Sequence, residues 1–105
     1  MINNTDNTRR WLEAGKQIGK NFSYTKDNKL YYASVGIQKC GSVYKLYFDE
    51  IEESQMGAHE DYLLEEIIDV QQFNQLSALV YQKTGLQLDT LTPLKGQKIF
   101  NPDFH

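Results

Sequence analysis

Two runs of aromatic and β-branched residues, 30–37 and 43–48, constrain the fold more than any other feature of the chain. Each run follows a short polar segment, Lys-Asp-Asn-Lys at 26–29 and Lys-Cys-Gly-Ser at 39–42. Segments of this composition form tight turns, and tight turns between alternating runs are typical of antiparallel hairpins. The sequence therefore predicts a β-meander.

Alternation along these strands predicts which side chains share a face of the sheet. One face is predicted to carry Tyr31, Ala33, Val35, Ile37, Tyr44, Leu46 and Phe48. Tyr32 and Tyr47 belong to the other face, and we expect both of them to be directed outward.

A helix is predicted before the meander, at about residues 6–20. Trp11, Ala14, Ile18 and Phe22 follow one another at spacings of three or four, which is the period of one helical face. Polar residues that favour the N-cap position precede this pattern.

A second helix is predicted at about residues 70–84. Asp69 and Gln72 have the spacing of a capping box at its start, and Gly85 favours a stop at its end. A short strand ending at Ile68 is predicted just before it. These elements predict one α+β domain covering all 105 residues, with an antiparallel meander of three to five strands packed with two helices.

Composition limits the compartment and the class of partner. The single cysteine, Cys40, excludes an internal disulfide and indicates a reducing environment. No apolar run approaches the ~20 residues that a membrane span needs, and the N-terminal residues lack the apolar core of a secretory signal. We therefore expect a cytoplasmic protein without membrane contact. With 14 acidic and 11 basic residues, it is not expected to bind nucleic acid, because neutralising phosphates needs clustered lysine or arginine.

Residues 48–70, called here the acidic segment, contain nine carboxylates and no lysine or arginine. Since 9 of the 14 acidic residues lie in this segment, the rest of the chain has 5 acidic residues against 11 basic ones. A net charge of −3 therefore conceals a strongly polarised molecule.

The acidic segment has two interpretations. One is a solvated surface that aids solubility, and the other is a binding site for a basic partner. Interleaved aromatic residues of the kind that anchor interfaces favour the second interpretation. The predicted partner-binding residues are Tyr47, Asp49, Glu50, Glu52, Glu53, Glu60, Asp61, Tyr62, Glu65 and Glu66.

Catalytic and metal-binding interpretations have less support. Cys40 as a nucleophile would need Lys39 as an activating cation and the distant His59 as a base, but Cys40 lies in a predicted turn without a recognisable motif. His59 and its flanking carboxylates could bind a metal, yet Ser54 stands where a calcium loop starting at Asp49 requires glycine. We therefore predict that the protein is not an enzyme and has no catalytic residue, cofactor or metal.

One family resemblance adds to this interpretation. The residues that carry it are Asp69, Gln72, Phe73, Thr84, Gly85 and Leu86, followed by the closing run 94–102. This order of helix, tyrosine-rich meander, acidic segment and second helix resembles the small immunity proteins of bacterial contact-dependent growth inhibition systems. The resemblance implies a cytoplasmic inhibitor that binds the C-terminal toxin domain delivered by a neighbouring cell. Such toxins are often nucleases with basic clefts, which an acidic inhibitor would block.

A second hypothesis is a small regulatory or adaptor domain that binds a basic housekeeping protein. Genetic neighbourhood separates the two, because immunity genes lie beside their toxin genes. Homo-oligomerisation also stays open, since an exposed edge of the meander can pair with a copy of itself.

Overall fold

The computed structural model describes residues 4–53, 64–94 and 99. Its elements are helix α1 (Asn4–Glu13), strands β1 (Ile18–Lys26), β2 (Lys29–Cys40), β3 (Val43–Glu52) and β4 (Leu64–Val70), helix α2 (Leu76–Thr84) and strand β5 (Thr92–Pro93). Short 3₁₀ turns at Phe73–Gln75 and Leu88–Thr90 flank α2. Within the described ranges, the five strands form one antiparallel sheet in the order β4-β3-β2-β1-β5. The predicted α+β fold, a meander of three to five strands with two helices, is confirmed.

Two-residue turns connect the first three strands, as predicted. Asp27 and Asn28 join β1 to β2 with φ values of 53° and 65°, the left-handed conformation that a type I′ turn needs at both central positions. Gly41 begins the turn from β2 to β3 with a φ of 61°, at the position that a type II′ turn gives to glycine. Tight turns of this kind set the pairing of the flanking strands along their whole length.

The first helix is shorter than the predicted range of 6–20. It ends at Glu13, Gly15 adopts a φ of 82°, and β1 begins at Ile18. A glycine in the left-handed conformation terminates a helix because its carbonyl no longer points along the axis. Ile18 and Phe22 misled the prediction, since residues four apart share a face in a strand as well as in a helix.

The second helix is also shorter than the predicted range of 70–84. The strand predicted before it is confirmed but continues to Val70, and α2 begins only after a 3₁₀ turn. The proposed capping box is wrong, because Asp69 lies inside β4 and its carboxylate accepts a hydrogen bond from Lys45 Nζ at 2.9 Å. The predicted stop at Gly85 is confirmed by its φ of 75°.

One face of the sheet, called here the helix face, carries the hydrophobic core. Ile18, Ile37, Leu46 and Ile68 are paired across four strands and therefore point the same way. The buried core residues are Leu12, Ile18, Val35, Ile37, Tyr44, Leu46, Val70, Leu76, Val80, Leu88 and Leu91. The face predicted for β2 and β3 is thus confirmed. Neither described helix is long and apolar enough to cross a membrane.

Charged and aromatic contacts attach α1 to the sheet. Glu13 accepts hydrogen bonds from Lys39 Nζ at 2.7 Å and from Tyr44 Oη at 2.8 Å. These two bonds hold the pKa of Glu13 below its ordinary value, and the bond from Lys39 has the larger effect. The Arg9 guanidinium lies 5.2 Å from the centroid of the Phe73 ring, a cation–π distance that also ties α1 to the turn before α2.

The other side of the sheet, called here the opposite face, has a glycine pair against which Ile99 packs. Gly19 and Gly36 are paired on β1 and β2. The Cδ1 atom of Ile99 would lie 2.6 Å from a Cβ placed on Gly19, so the space left by the missing side chain is occupied. The Ile99 N–H donates to Gln17 Oε1 at 2.6 Å, and the Gln17 amide in turn donates to Gln38 Oε1 at 3.0 Å.

Candidate functional site

Strand alternation divides the described carboxylates of the acidic segment between the two faces of the sheet. Asp49, Glu65 and Asp69 lie on the opposite face, whereas Glu50, Glu52 and Glu66 lie on the helix face. Glu53 follows β3 and is exposed. The other predicted partner-binding residues, Glu60, Asp61 and Tyr62, lie outside the described residues.

Three of these carboxylates form ion pairs with lysines from other parts of the chain. The pairs are Glu52 with Lys29 at 3.8 Å, Glu66 with Lys83 at 3.0 Å, and Asp69 with Lys45 at 2.9 Å. The acidic segment is therefore partly neutralised within the molecule, which its composition did not indicate. The pair from Glu66 to Lys83 also ties α2 to β4.

Asp49 and Glu65 are arranged differently, around the hydroxyl of Tyr47. They are paired on β3 and β4, and Tyr47 Oη lies 3.0 Å from Asp49 Oδ2 and 2.6 Å from Glu65 Oε2. We call these three residues the Tyr47 cluster. The expectation that Tyr47 is directed outward is wrong in one respect, since it lies on the opposite face but is only 7% exposed. Its ring can be buried because its hydroxyl has carboxylate acceptors.

The electrostatics of the Tyr47 cluster favour a cation beside it. Burial raises the pKa of Tyr47, and the hydrogen bond to Glu65 and the charge of Asp49 raise it further, so the hydroxyl remains a neutral donor. A phenol has one proton to donate to two carboxylates. Among the described residues, no lysine or arginine comes within ion-pair distance of Asp49 or Glu65. Their negative charges therefore remain available to a basic group from outside.

An open groove of about 540 Å³ lies on the same face beside Asp49. The residues that line it are Asn21, Phe22, Ser23, Tyr32, Ala33, Ser34, Asp49 and Ile51. Asp49, Ser34 and Asn21 are paired across three strands, and the Ser34 hydroxyl donates to Asn21 Oδ1 at 2.6 Å. Tyr32 is 39% exposed, which confirms that it is directed outward.

Sequence reasoning missed the contributions of Asn21, Ser34 and Ile51. The signal that could have found them is the pair of two-residue turns, because these turns fix which residues of β1, β2 and β3 lie side by side. Uncharged residues on a strand carry no other functional signature, so the charge pattern alone did not select them.

The remaining candidate residues are dispersed. Glu50 is half-buried on the helix face, and burial raises its pKa. Cys40 is half-buried at the end of β2, and its proposed partner His59 lies outside the described residues. Within the part of the chain that the structure describes, no three His, Cys, Asp or Glu side chains approach closely enough to hold a metal ion.

Searches against models of protein families, curated proteins and solved structures find no match to this chain. The resemblance to immunity proteins therefore stays a prediction. Some residues that carry it have local structural roles, since Thr84 Oγ1 donates to the carbonyl of Val80 at 2.6 Å and accepts from the Leu86 N–H at 3.1 Å. These two bonds and Gly85 form the end of α2.

Proposed function

We propose that this protein is a cytoplasmic immunity protein that binds and neutralises a basic toxin domain, a nuclease being the best fit. The observation that carries the proposal is the Tyr47 cluster, where Asp49 and Glu65 converge on one neutral hydroxyl. Three other carboxylates of the acidic segment have lysine partners within the chain, but these two form no ion pair with a described residue.

Charge repulsion within the Tyr47 cluster favours a basic partner. Two carboxylates that share one donor repel each other, and a lysine or arginine from another molecule relieves that repulsion. Complementary charge also accelerates the encounter between two proteins. A nuclease cleft is positively charged because it holds phosphates, so it offers such groups close together.

A growth assay tests the proposal directly. The C-terminal domain of the toxin encoded by the adjacent gene is expressed from an inducible promoter, with or without this protein. The expected result is growth arrest by the toxin domain alone and normal growth when both proteins are present. Continued arrest in the presence of the protein would contradict the proposal. Absence of a toxic neighbour, combined with specific binding to a basic housekeeping protein, would instead favour an adaptor.

A further inference from the structure

The groove beside the Tyr47 cluster has an aromatic wall that the fold does not use. Tyr32 projects from β2 with 39% of its surface exposed, and no described residue makes a ring contact or hydrogen bond with its side chain. Ile51, its pairing partner on β3, continues this wall and is half-buried. A tyrosine exposed on the central strand of the sheet, rather than on an edge strand, is well placed for a ligand that requires an aromatic surface.

Asp49 gives the groove a negative end. Its Oδ2 atom accepts from Tyr47, but no described residue donates to its other oxygen. The neighbouring hydroxyl of Ser34 donates its proton to Asn21 Oδ1 and therefore does not donate to Asp49. The groove therefore combines an aromatic surface, an aliphatic residue and a carboxylate acceptor within one open depression of about 540 Å³.

We propose that this groove receives an arginine side chain of the basic partner, an inference that rests on the proposed function and adds to it the point of contact. The planar guanidinium stacks on the Tyr32 ring and donates to Asp49. Arginine fits better than lysine because its planar group combines stacking with directed hydrogen bonds. Tyrosine and arginine are also, with tryptophan, enriched among the residues that dominate interface energetics.

Dissociation kinetics of the complex with the toxin domain test the role of Tyr32. Tyr32→Ala is expected to raise the dissociation rate about tenfold, whereas Tyr32→Phe retains the ring and should stay close to the parent. Tyr81→Ala is the matched control, because Tyr81 is 59% exposed but lies on α2. An unchanged rate for Tyr32→Ala, or an equal increase for Tyr81→Ala, would overturn the inference while leaving toxin neutralisation intact.

A titration of the protein alone separates this inference from the proposed function. Capped oligoarginine and oligolysine peptides of equal length are added while the Tyr32 ring resonances are followed by NMR. Oligoarginine is expected to shift them at the lower concentration, and Tyr32→Ala should reduce the preference for arginine. Equal responses to the two peptides would refute arginine selectivity. Self-association that Tyr32→Ala abolishes, seen by sedimentation, would assign the groove to a second copy of the chain.

Discussion

Substitution of Gly19 by alanine tests the packing of Ile99 against the sheet. A Cβ at this position would lie 2.5 Å from the backbone oxygen of Val35 and 2.6 Å from Ile99 Cδ1. Both distances are shorter than real Cβ contacts, and the Val35 oxygen belongs to the paired strand β2, which cannot move cheaply. Overpacking of this kind costs about 1–3 kcal/mol. Alanine recovers roughly 0.5–1 kcal/mol in a strand by restricting the unfolded chain.

From the middle of each range, about 2 kcal/mol of cost and about 0.75 kcal/mol of recovery, the net loss is about 1.3 kcal/mol. With an unfolding entropy of about 2.1 cal/mol/K per residue, each kcal/mol lowers the melting temperature of a 105-residue chain by about 4–5 °C. We expect Gly19→Ala to lower the melting temperature by about 6 °C, measured by calorimetry or circular dichroism.

Ile99→Val provides the matched control because it deletes only the Cδ1 methyl group. Alone, it should destabilise the protein by about 0.5–1.5 kcal/mol. Combined with Gly19→Ala, it should cost less, because the deleted methyl no longer opposes the new Cβ. An unchanged or raised melting temperature for Gly19→Ala, or strict additivity in the double variant, would refute the packing of Ile99 over Gly19.

Three further predictions concern the charged groups. Because the folded-state pKa of Glu13 is lowered, Glu13 stabilises the fold above its ordinary pKa of 4.5 and loses that contribution as the pH falls through the folded value. Glu13→Gln, which weakens the bond to Lys39, should lower the melting temperature at neutral pH, and the difference should shrink in acid. Burial raises the pKa of Glu50, so its charged form opposes folding when the pH is above the raised pKa. Glu50→Gln should therefore raise the melting temperature at neutral pH and change it little well below pH 4.5. A double-mutant cycle on Lys83 and Glu66, followed by urea denaturation, should give a coupling of about 0.2–1 kcal/mol that decreases with salt. A Glu13→Gln difference that persists in acid would count against the bond from Lys39 to Glu13. Loss of stability in Glu50→Gln at neutral pH would count against the burial of a charged Glu50. A coupling of zero would count against the ion pair between Lys83 and Glu66.

The central sheet was predictable because its information is local. The Asp27-Asn28 turn and the turn that begins at Gly41 determine the pairing of three strands, and alternation then determines their faces. The helix boundaries were less predictable, since Ile18 and Phe22 satisfy both the strand and the helix periods. Gly15 is compatible in the sequence with a helix that continues to residue 20 and with a helix that ends before it. Only its φ of 82° distinguishes the two.

The candidate site was predictable only in part, for a topological reason. The sequence identified Asp49 and Glu65 as acidic, but β3 ends at Glu52 and β4 begins at Leu64, too far apart in the sequence for a two-residue turn to set their pairing. Their convergence on Tyr47 therefore depends on a long-range register, and so do the lysine pairs of the acidic segment. A charge count cannot distinguish a carboxylate with an internal lysine from one available to a partner.

The association rate with the toxin domain tests the central claim, that Asp49 and Glu65 attract a basic partner. The first double variant combines Asp49→Asn with Glu65→Gln. The control combines Gln82→Lys with Gln87→Lys, at one exposed position on α2 and one just after it. Both double variants change the net charge of −3 by the same two units. We expect the first pair to lower the association rate constant about tenfold at low salt and to weaken its salt dependence, while the second pair has a much smaller effect. Equal effects of the two pairs, or an unchanged rate for the first, would contradict it.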